Sequence, residues 1–311
     1  MQKEPLVILT GPTAVGKTKL SVELAKQING EIISADSMQV YRRMNIGTAK
    51  VTPAETEGIK HHLIDIMEPW EDFNVVSFQN YAMQAVKDIR GRGRIPILVG
   101  GTGFYIQALL YGVNFTENDT CPELRNRLET ESEKDGGVSL HQYLSQIDPL
   151  AAEVIHPNNR KRVIRAVEFY ELTGQRISEH NEEQRQNNPV FNSAYFVLTM
   201  DREELYKRID RRVDSMIQYG LVSEVEALLK EGCTADMISM QGLGYKEIIR
   251  YLKGEITLEE AVYIIKRDTR HFAKRQLTWF RREREVIWLD KDKNNAVMDN
   301  ILSALKQKEI I

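Results

Sequence analysis

The chain opens with a short apolar run at residues 6–10, followed at once by the segment GPTAVGKT at residues 11–18. This segment fits the pattern G-x-x-x-x-G-K-[S/T], in which backbone N–H groups and one lysine surround a phosphate group. An amphipathic stretch at residues 17–28 comes next. A strand, a phosphate-binding loop and a helix in this order predict an α/β fold with a ligand site at the loop edge of a parallel sheet.

Short runs rich in β-branched residues recur along the chain, with amphipathic stretches between most of them. This alternation predicts a P-loop NTPase-like parallel sheet flanked by helices. Because no convincing strand pattern occurs between positions 113 and 189, we expect an all-helical insertion domain at 114–190. The α/β core then consists of a first part at 1–113 and a second, mainly helical part at 191–311. The predicted strands cover residues 6–10, 31–35, 62–66, 95–99, 195–200 and 286–290.

Composition places the chain among ordinary globular proteins. Its 311 residues are 42% hydrophobic and carry a formal charge of -3, so the chain can bury a sizeable core. Its apolar runs fall far short of the roughly 20 residues that span a bilayer, and its N-terminus lacks a secretory pattern. Cys121 and Cys233 lie far apart, which fits a reducing compartment. We therefore expect a cytoplasmic protein with no membrane partner.

Two polar groups follow predicted strands at the edge that carries the glycine loop. Asp36 comes directly after the strand at 31–35 and can serve as a general base, a magnesium ligand or a helix cap. The segment GGTGFY follows the strand at 95–99, where Thr102 offers a hydroxyl and the glycines let the backbone approach a ligand. A tight turn without a ligand explains the same glycines, so both interpretations stay open.

Histidines and basic runs give weaker signals. His61, His62 and Asp65 do not favour a metal site, because alternation along a strand points the two histidines to opposite faces. Basic residues cluster at 160–165 and, interleaved with aromatic residues, at 266–284. Solvated helix faces explain many such runs, whereas two of them in a nearly neutral chain favour contact with a phosphodiester backbone.

The chain resembles the tRNA dimethylallyltransferases, also called tRNA isopentenyl transferases, in the order and spacing of six motifs: GPTAVGKT, ISADSMQVYRRMNIGTAK, HHLIDI, IPILVGGTGFYIQALL, DPLAAEVIHPNNRKRVIRAVE and QGLGYKEI. The resemblance runs from about residue 6 to about residue 282. Enzymes of this family transfer a dimethylallyl group from dimethylallyl diphosphate to the exocyclic N6 amine of the adenosine 3′ of the anticodon in tRNA, releasing diphosphate. The resemblance implies these two substrates, Mg²⁺ as cofactor, and a monomer of the bacterial form, which lacks the C-terminal zinc finger of eukaryotic relatives.

The resemblance also implies roles for individual residues. Asp36 is expected to be the general base, with Thr102 and Arg212 as the other catalytic residues and Thr18 as the Mg²⁺ ligand. A leaving diphosphate needs the same N–H groups, lysine and magnesium as a nucleotide does. The expected diphosphate-binding residues are Gly11, Pro12, Thr13, Ala14, Val15, Gly16, Lys17 and Thr18. The expected tRNA-binding residues are Asp36, Ser37, Met38, Gln39, Thr102, Arg125, Arg160, Lys161, Arg162, Val163, Ile164, Gln241, Gly242, Leu243, Gly244, Tyr245 and Lys246.

The same resemblance implies that the helical insertion grips the anticodon stem and that the target base is extruded from its stack. Three other functions remain open. A small-molecule or nucleoside kinase shares the loop and the sheet, and would carry arginines on a lid. A non-catalytic, nucleotide-gated RNA-binding protein would use the basic helices but leave Asp36 and Thr102 without a role. A relative that prenylates free adenine nucleotides would need neither basic segment.

Overall fold

The structure, a computed structural model, describes residues 3–113, 121–292 and 296–311. Contacts divide the chain into two compact units. We call Met1–Leu110 together with Pro189–Ile311 the sheet unit, and Tyr111–Asn188 the helical unit. The boundaries predicted from the sequence lie at 113 and 190, and residues 114–120 of the predicted insertion lie outside the described residues.

The sheet unit contains six strands, and every pair of neighbouring strands is parallel. Their order is β3-β2-β4-β1-β5-β6, so the strand before the glycine loop lies between β4 and β5 in the middle of the sheet. The α/β class and the parallel sheet predicted from the sequence are confirmed. The strands are β1 (Pro5–Thr10), β2 (Gly30–Ala35), β3 (His61–His62), β4 (Ile95–Gly100), β5 (Asn192–Thr199) and β6 (Val286–Asp290).

Helices cover both faces of this sheet. Leu6, Val7, Ile8 and Leu9 of β1 are all fully buried, although successive side chains point to opposite faces. In chain order, the described helices are α1 (Lys17–Gln27), α2 (Pro53–Thr56), α3 (Val75–Gly91), α4 (Gly103–Leu110), α5 (Pro122–Lys134), α6 (Val138–Ile147), α7 (Pro149–Val154), α8 (Arg160–Thr173), α9 (Ile177–Gln186), α10 (Arg202–Gln218), α11 (Leu221–Lys230), the 3₁₀ helix Ser239–Gln241, α12 (Tyr245–Leu252), α13 (Leu258–Phe280) and α14 (Val297–Gln307).

The strand predicted at 62–66 is wrong beyond His62. Leu63 and Asp65 have φ angles of 63° and 54°, in the left-handed region that a strand cannot contain. Only His61 and His62 therefore pair with β2. Hydrophobic alternation does not reveal such turns, since backbone conformation at single residues leaves the pattern of apolar positions unchanged.

The helical unit consists of α5 to α9, and its all-helical character is as predicted. Its core contains Leu128, Leu144, Val163 and Val167. The C-terminus of α8 is capped by Gly174, whose φ of 71° lies in the left-handed region that glycine adopts without strain. Among the described residues of the whole chain, none of the helices is both long and apolar enough to cross a membrane.

Candidate active site

The glycine loop joins β1 to α1 at the carboxyl edge of the sheet. Gly11 and Gly16 have φ angles of 146° and 94°, and a Cβ atom on Gly11 would lie 2.6 Å from the backbone oxygen of Leu198. Lys17 is the first residue of α1, and its ammonium group donates to the backbone oxygens of Gly11 and Pro12, each at 2.9 Å. The loop therefore folds back on its own lysine.

Positive charge accumulates at this loop. Burial and then the charge of Arg212 lower the pKa of Lys17 to about 7, and the carboxylate of Asp36 opposes this shift. Arg212 lies on α10, with Nη1 3.4 Å from Oγ1 of Thr13. Loss of hydration and then the charge of Arg208 lower the pKa of Arg212. Because neighbouring cations disfavour each other's charged forms, an anion bound here would be stabilised by both groups.

Asp36 lies directly after β2, in a turn that it caps itself. Its Oδ1 atom accepts the backbone N–H groups of Met38, at 2.8 Å, and Gln39, at 3.2 Å. No donor of the described residues contacts Oδ2. One oxygen can thus hold the turn while the other accepts a proton, so the cap and the base are compatible roles. The backbone N–H of Thr102 donates to the oxygen of Ala35 at 3.3 Å, which brings Thr102 to the same sheet edge.

Gln276 on α13 connects two segments of the site, and sequence reasoning missed it. It is buried; its Oε1 accepts the N–H of Thr13 and its Nε2 donates to the oxygen of Gly101, both at 2.9 Å. A Cβ on Gly101 would lie 2.2 Å from Gln276, and one on Gly103 would lie 2.2 Å from Trp279. These two glycines are therefore required for the packing of α13. The one sequence signal for Gln276 is its position on the apolar face of the basic, amphipathic helix α13, where a polar side chain needs a hydrogen-bond partner.

The structure brings together two segments that were predicted to bind tRNA. A Cβ on Gly242 would lie 2.5 Å from Cε of Met38. Tyr245, in contrast, is fully buried against Gly47, and its hydroxyl donates to Glu224 at 2.7 Å. The ring of Tyr245 therefore supports a neighbouring loop from inside, and a contact of this residue with tRNA stays a prediction that its buried side chain does not supply. Elsewhere in the segment, Gln241 is exposed, Leu243 and Lys246 are half-buried, and Gly244 is buried.

The predicted tRNA-binding turn of α8 presents two faces. Lys161 and Arg162 are exposed, whereas Val163 and Ile164 are buried in the core of the helical unit. The side chains of Val163 and Ile164 thus pack inside the unit, so any contact of this turn with tRNA would involve the exposed side chains or the backbone, and the contact stays a prediction. Arg160 is half-buried, and its Nε donates to Oγ of Ser132 at 2.8 Å.

Arg125 has structural partners within the helical unit. Its guanidinium group contacts Glu129 and Glu168, both at 3.0 Å. The pair of Arg125 and Glu168 connects α5 to α8. Because Glu168 is buried, removing Arg125 would leave a buried carboxylate with one cation fewer. A contact between Arg125 and tRNA remains a prediction.

The sequence matches known families over most of its length. A family model described as IPP transferase matches residues 39–283, and one described as isopentenyl transferase matches residues 5–71. The chain is 60% identical over 311 residues to the tRNA dimethylallyltransferase of Lachnoclostridium phytofermentans, covering 99% of both sequences. It is 53% identical over 292 residues to the tRNA dimethylallyltransferase of Carboxydothermus hydrogenoformans, covering 94% of each.

Solved structures agree with these matches. A tRNA isopentenylpyrophosphate transferase from Bacillus halodurans is 47% identical and has a TM-score of 0.75, covering 99% of this chain and 98% of its own. A eukaryotic dimethylallyltransferase acting on tRNA is 32% identical with a TM-score of 0.84, covering 98% of this chain and 80% of its own. The chain therefore belongs to the IPP transferase family, the family of the tRNA dimethylallyltransferases.

Proposed function

We propose that this chain transfers a dimethylallyl group from dimethylallyl diphosphate to the N6 amine of the adenosine 3′ of the anticodon in tRNA, releasing diphosphate. The match to relatives along 99% of the chain supports the reaction. Within the site, one observation carries the proposal. The loop lysine, Lys17, lies within electrostatic reach of both Arg212 and the carboxylate of Asp36, so groups for a leaving diphosphate and for a base occur together.

The loop residues 11–18 and Arg212 would hold the diphosphate. Negative charge grows on the leaving oxygen as the bond to the allyl carbon breaks, and Lys17 and the loop N–H groups stabilise that charge. Thr18 is an exposed residue on the first turn of α1. It would hold Mg²⁺ through its hydroxyl oxygen, a hard ligand of the kind that this ion prefers. When bound, Mg²⁺ would neutralise charge on the diphosphate.

Asp36 would take the proton of the acceptor amine. The lone pair of this amine is delocalised into the adenine ring, so the amine attacks only as its proton is removed. As the new carbon–nitrogen bond forms, the proton moves to Oδ2 of Asp36 and the electron pair of the broken carbon–oxygen bond leaves with diphosphate. Thr102 would contact the substrate near the reacting carbon.

The tRNA would be held by exposed polar and basic groups. Lys161 and Arg162 of the helical unit would contact phosphates of the anticodon stem, and residues 37–39 with Gln241 and Lys246 would lie against the anticodon loop. The target base must leave its stack to reach Asp36. We place this reaction in the cytoplasm and assign it to a single copy of the chain.

The test is incubation of the protein with unmodified tRNA, Mg²⁺ and labelled dimethylallyl diphosphate. We expect label in the tRNA, and a single-turnover rate about a hundredfold lower or more for Asp36→Asn with near wild-type binding of both substrates. Asparagine keeps the turn, since its side-chain oxygen accepts the same N–H groups. Asp299→Asn, at an exposed position of α14, is the matched control.

Two outcomes would reject the proposal. Consumption of ATP without label in the tRNA would indicate a kinase. A rate for Asp36→Asn within a few-fold of wild type would remove Asp36 as the base.

A further inference from the structure

Two cations at the glycine loop have no role in the mechanism above: Arg208 on α10 and Lys291 directly after β6. A Cβ atom built on Gly16 would lie 2.8 Å from Nζ of Lys291 and 3.5 Å from Nη2 of Arg208. Nζ of Lys291 also lies 3.4 Å from the backbone oxygen of Val15. Both cationic groups therefore stand at the loop immediately before the N-terminus of α1.

Neither cation has an ion-pair partner among the described residues. Among the residues that the structure describes, no carboxylate oxygen lies within 4.0 Å of the charged nitrogens of Arg208 or Lys291. Glu23 and Asp292 act on Lys291 only from a greater distance. Burial and then the charge of Arg208 lower the pKa of Lys291. The protein thus holds two cations close together, and the more distant carboxylates Glu23 and Asp292 offset their mutual repulsion only in part.

Arg208 also belongs to a larger group. It lies one helical turn before Arg212, and its charge lowers the pKa of Arg212, whose charge in turn acts on Lys17. Four cations therefore line the loop, with Arg212 at Thr13 and the pair Arg208 and Lys291 at Gly16. A single phosphate would leave part of this charge without an anionic partner, whereas two linked phosphates extend along the loop and can meet all of it.

We propose that Arg208 and Lys291 form a second phosphate position beside the loop, so that the site selects a diphosphate over a monophosphate. This inference rests on the proposed function: Arg208 and Lys291 would be the residues by which the enzyme selects a diphosphate donor. Arg208 and Lys291 act as specificity residues for binding, since the reacting carbon and the acceptor amine are served by Thr102 and Asp36.

The test is calorimetric titration of the full chain with inorganic diphosphate and with inorganic phosphate, both with Mg²⁺. We expect Arg208→Gln and Lys291→Gln each to weaken diphosphate affinity by about tenfold and to leave phosphate affinity within about twofold. The KM for dimethylallyl diphosphate should rise by a similar factor. Arg211→Gln is the matched control, because Arg211 lies on the same helix but is exposed and paired with Glu204 at 2.8 Å.

Thermal melting separates a binding role from a structural one. Removing a repelling cation should keep or raise the Tm of the protein without an anion, and should reduce the gain in Tm that diphosphate gives. Unchanged diphosphate affinity in both variants overturns the inference. So does a lowered Tm without anion combined with equal losses for phosphate and diphosphate. A wild-type protein that binds diphosphate but puts no label into tRNA rejects the proposed function instead, and leaves this comparison intact.

Discussion

Lys17 should make the affinity for diphosphate depend on pH. Without an anion, burial and the charge of Arg212 hold the pKa of Lys17 at about 7. A bound diphosphate places negative charge against the ammonium group and raises its pKa towards or above the ordinary value. Binding therefore takes up a proton wherever the free lysine is neutral, which amounts to about 0.9 proton at pH 8 and about 0.1 proton at pH 6.

The direction and size of the effect follow from this difference. Below pH 7, Lys17 is charged in both the free and the bound protein, so its titration does not change affinity. Above pH 7, the free lysine must first be protonated, at a cost of about 1.4 kcal/mol per pH unit. Affinity for diphosphate should then fall about tenfold between pH 8 and pH 9.

Calorimetry in two buffers with different ionisation enthalpies measures the proton uptake directly. Lys17→Arg is the comparison, because a guanidinium group stays charged over this range. The ratio of wild-type to Lys17→Arg affinities removes the titration of diphosphate itself, which is common to both proteins. Equal proton uptake by the two proteins at pH 8, or a constant ratio from pH 6 to pH 9, would refute this account of Lys17.

Three further perturbations test other parts of the molecule. Lys17→Met should raise the Tm of the ligand-free protein at pH 7, because burial disfavours that charge, and should slow transfer by about two to four orders of magnitude. The second perturbation concerns Glu31. Burial alone would raise the pKa of this carboxyl group, but hydrogen bonds from Arg92 and His62 lower it to about 2. Glu31→Gln should thus cost about 3 kcal/mol in urea unfolding at pH 7, a loss that shrinks as pH falls from about 4.5 towards 2. Replacing the exposed Lys161 and Arg162 by alanine should flatten the dependence of log tRNA affinity on log salt by roughly one unit for each phosphate that these side chains neutralise.

Each perturbation has a control and a contrary result. A lower Tm for Lys17→Met would show that the hydrogen bonds of the ammonium group stabilise the loop more than burial destabilises the charge. Glu57→Gln, which removes one partner of an exposed ion pair, is the control for Glu31→Gln. An equal loss of stability in the two variants would contradict the stabilising role of the Glu31 carboxylate. Arg176→Ala is the control for the double variant of Lys161 and Arg162, since Arg176 is exposed and paired with Glu179. An unchanged salt slope in the double variant would mean that this face of α8 is only solvated.

The sequence predicts the parts of the site that depend on local order. Lys17 and Asp36 each stand close after a buried strand, and the carboxyl ends of parallel strands share one edge of the sheet. The sequence also allows the buried and exposed faces of α8 to be told apart, because helical spacing puts Val163 and Val167 together on the apolar face. A family motif is a continuous stretch of sequence, so it includes buried residues such as Val163 and Ile164 together with the exposed ones.

Tertiary contacts account for what the sequence did not predict. Gln276 reaches Thr13 across 263 positions of the chain, and Lys291 reaches Val15 across 276. Neither residue belongs to a motif around the loop, and both come from the mainly helical part of the core. Arg208 is placed at the loop by the packing of α10, whose apolar face has no relation in sequence to the residues 11–18. Such neighbours follow only from the assembled fold.

The cations that we propose to hold the donor should also hold the product. Lys17, Arg208, Arg212 and Lys291 lie together at the glycine loop. They would act on phosphate groups, which dimethylallyl diphosphate and diphosphate have in common, so transfer of the allyl group would remove none of these interactions. Release of diphosphate should therefore be slow relative to transfer. With excess tRNA and donor, we expect a burst of modified tRNA close to the enzyme concentration, followed by a slower steady rate. Lys291→Gln should raise the steady rate relative to the burst, because it weakens the hold on diphosphate; linear product formation from the first turnover would show that release is not limiting.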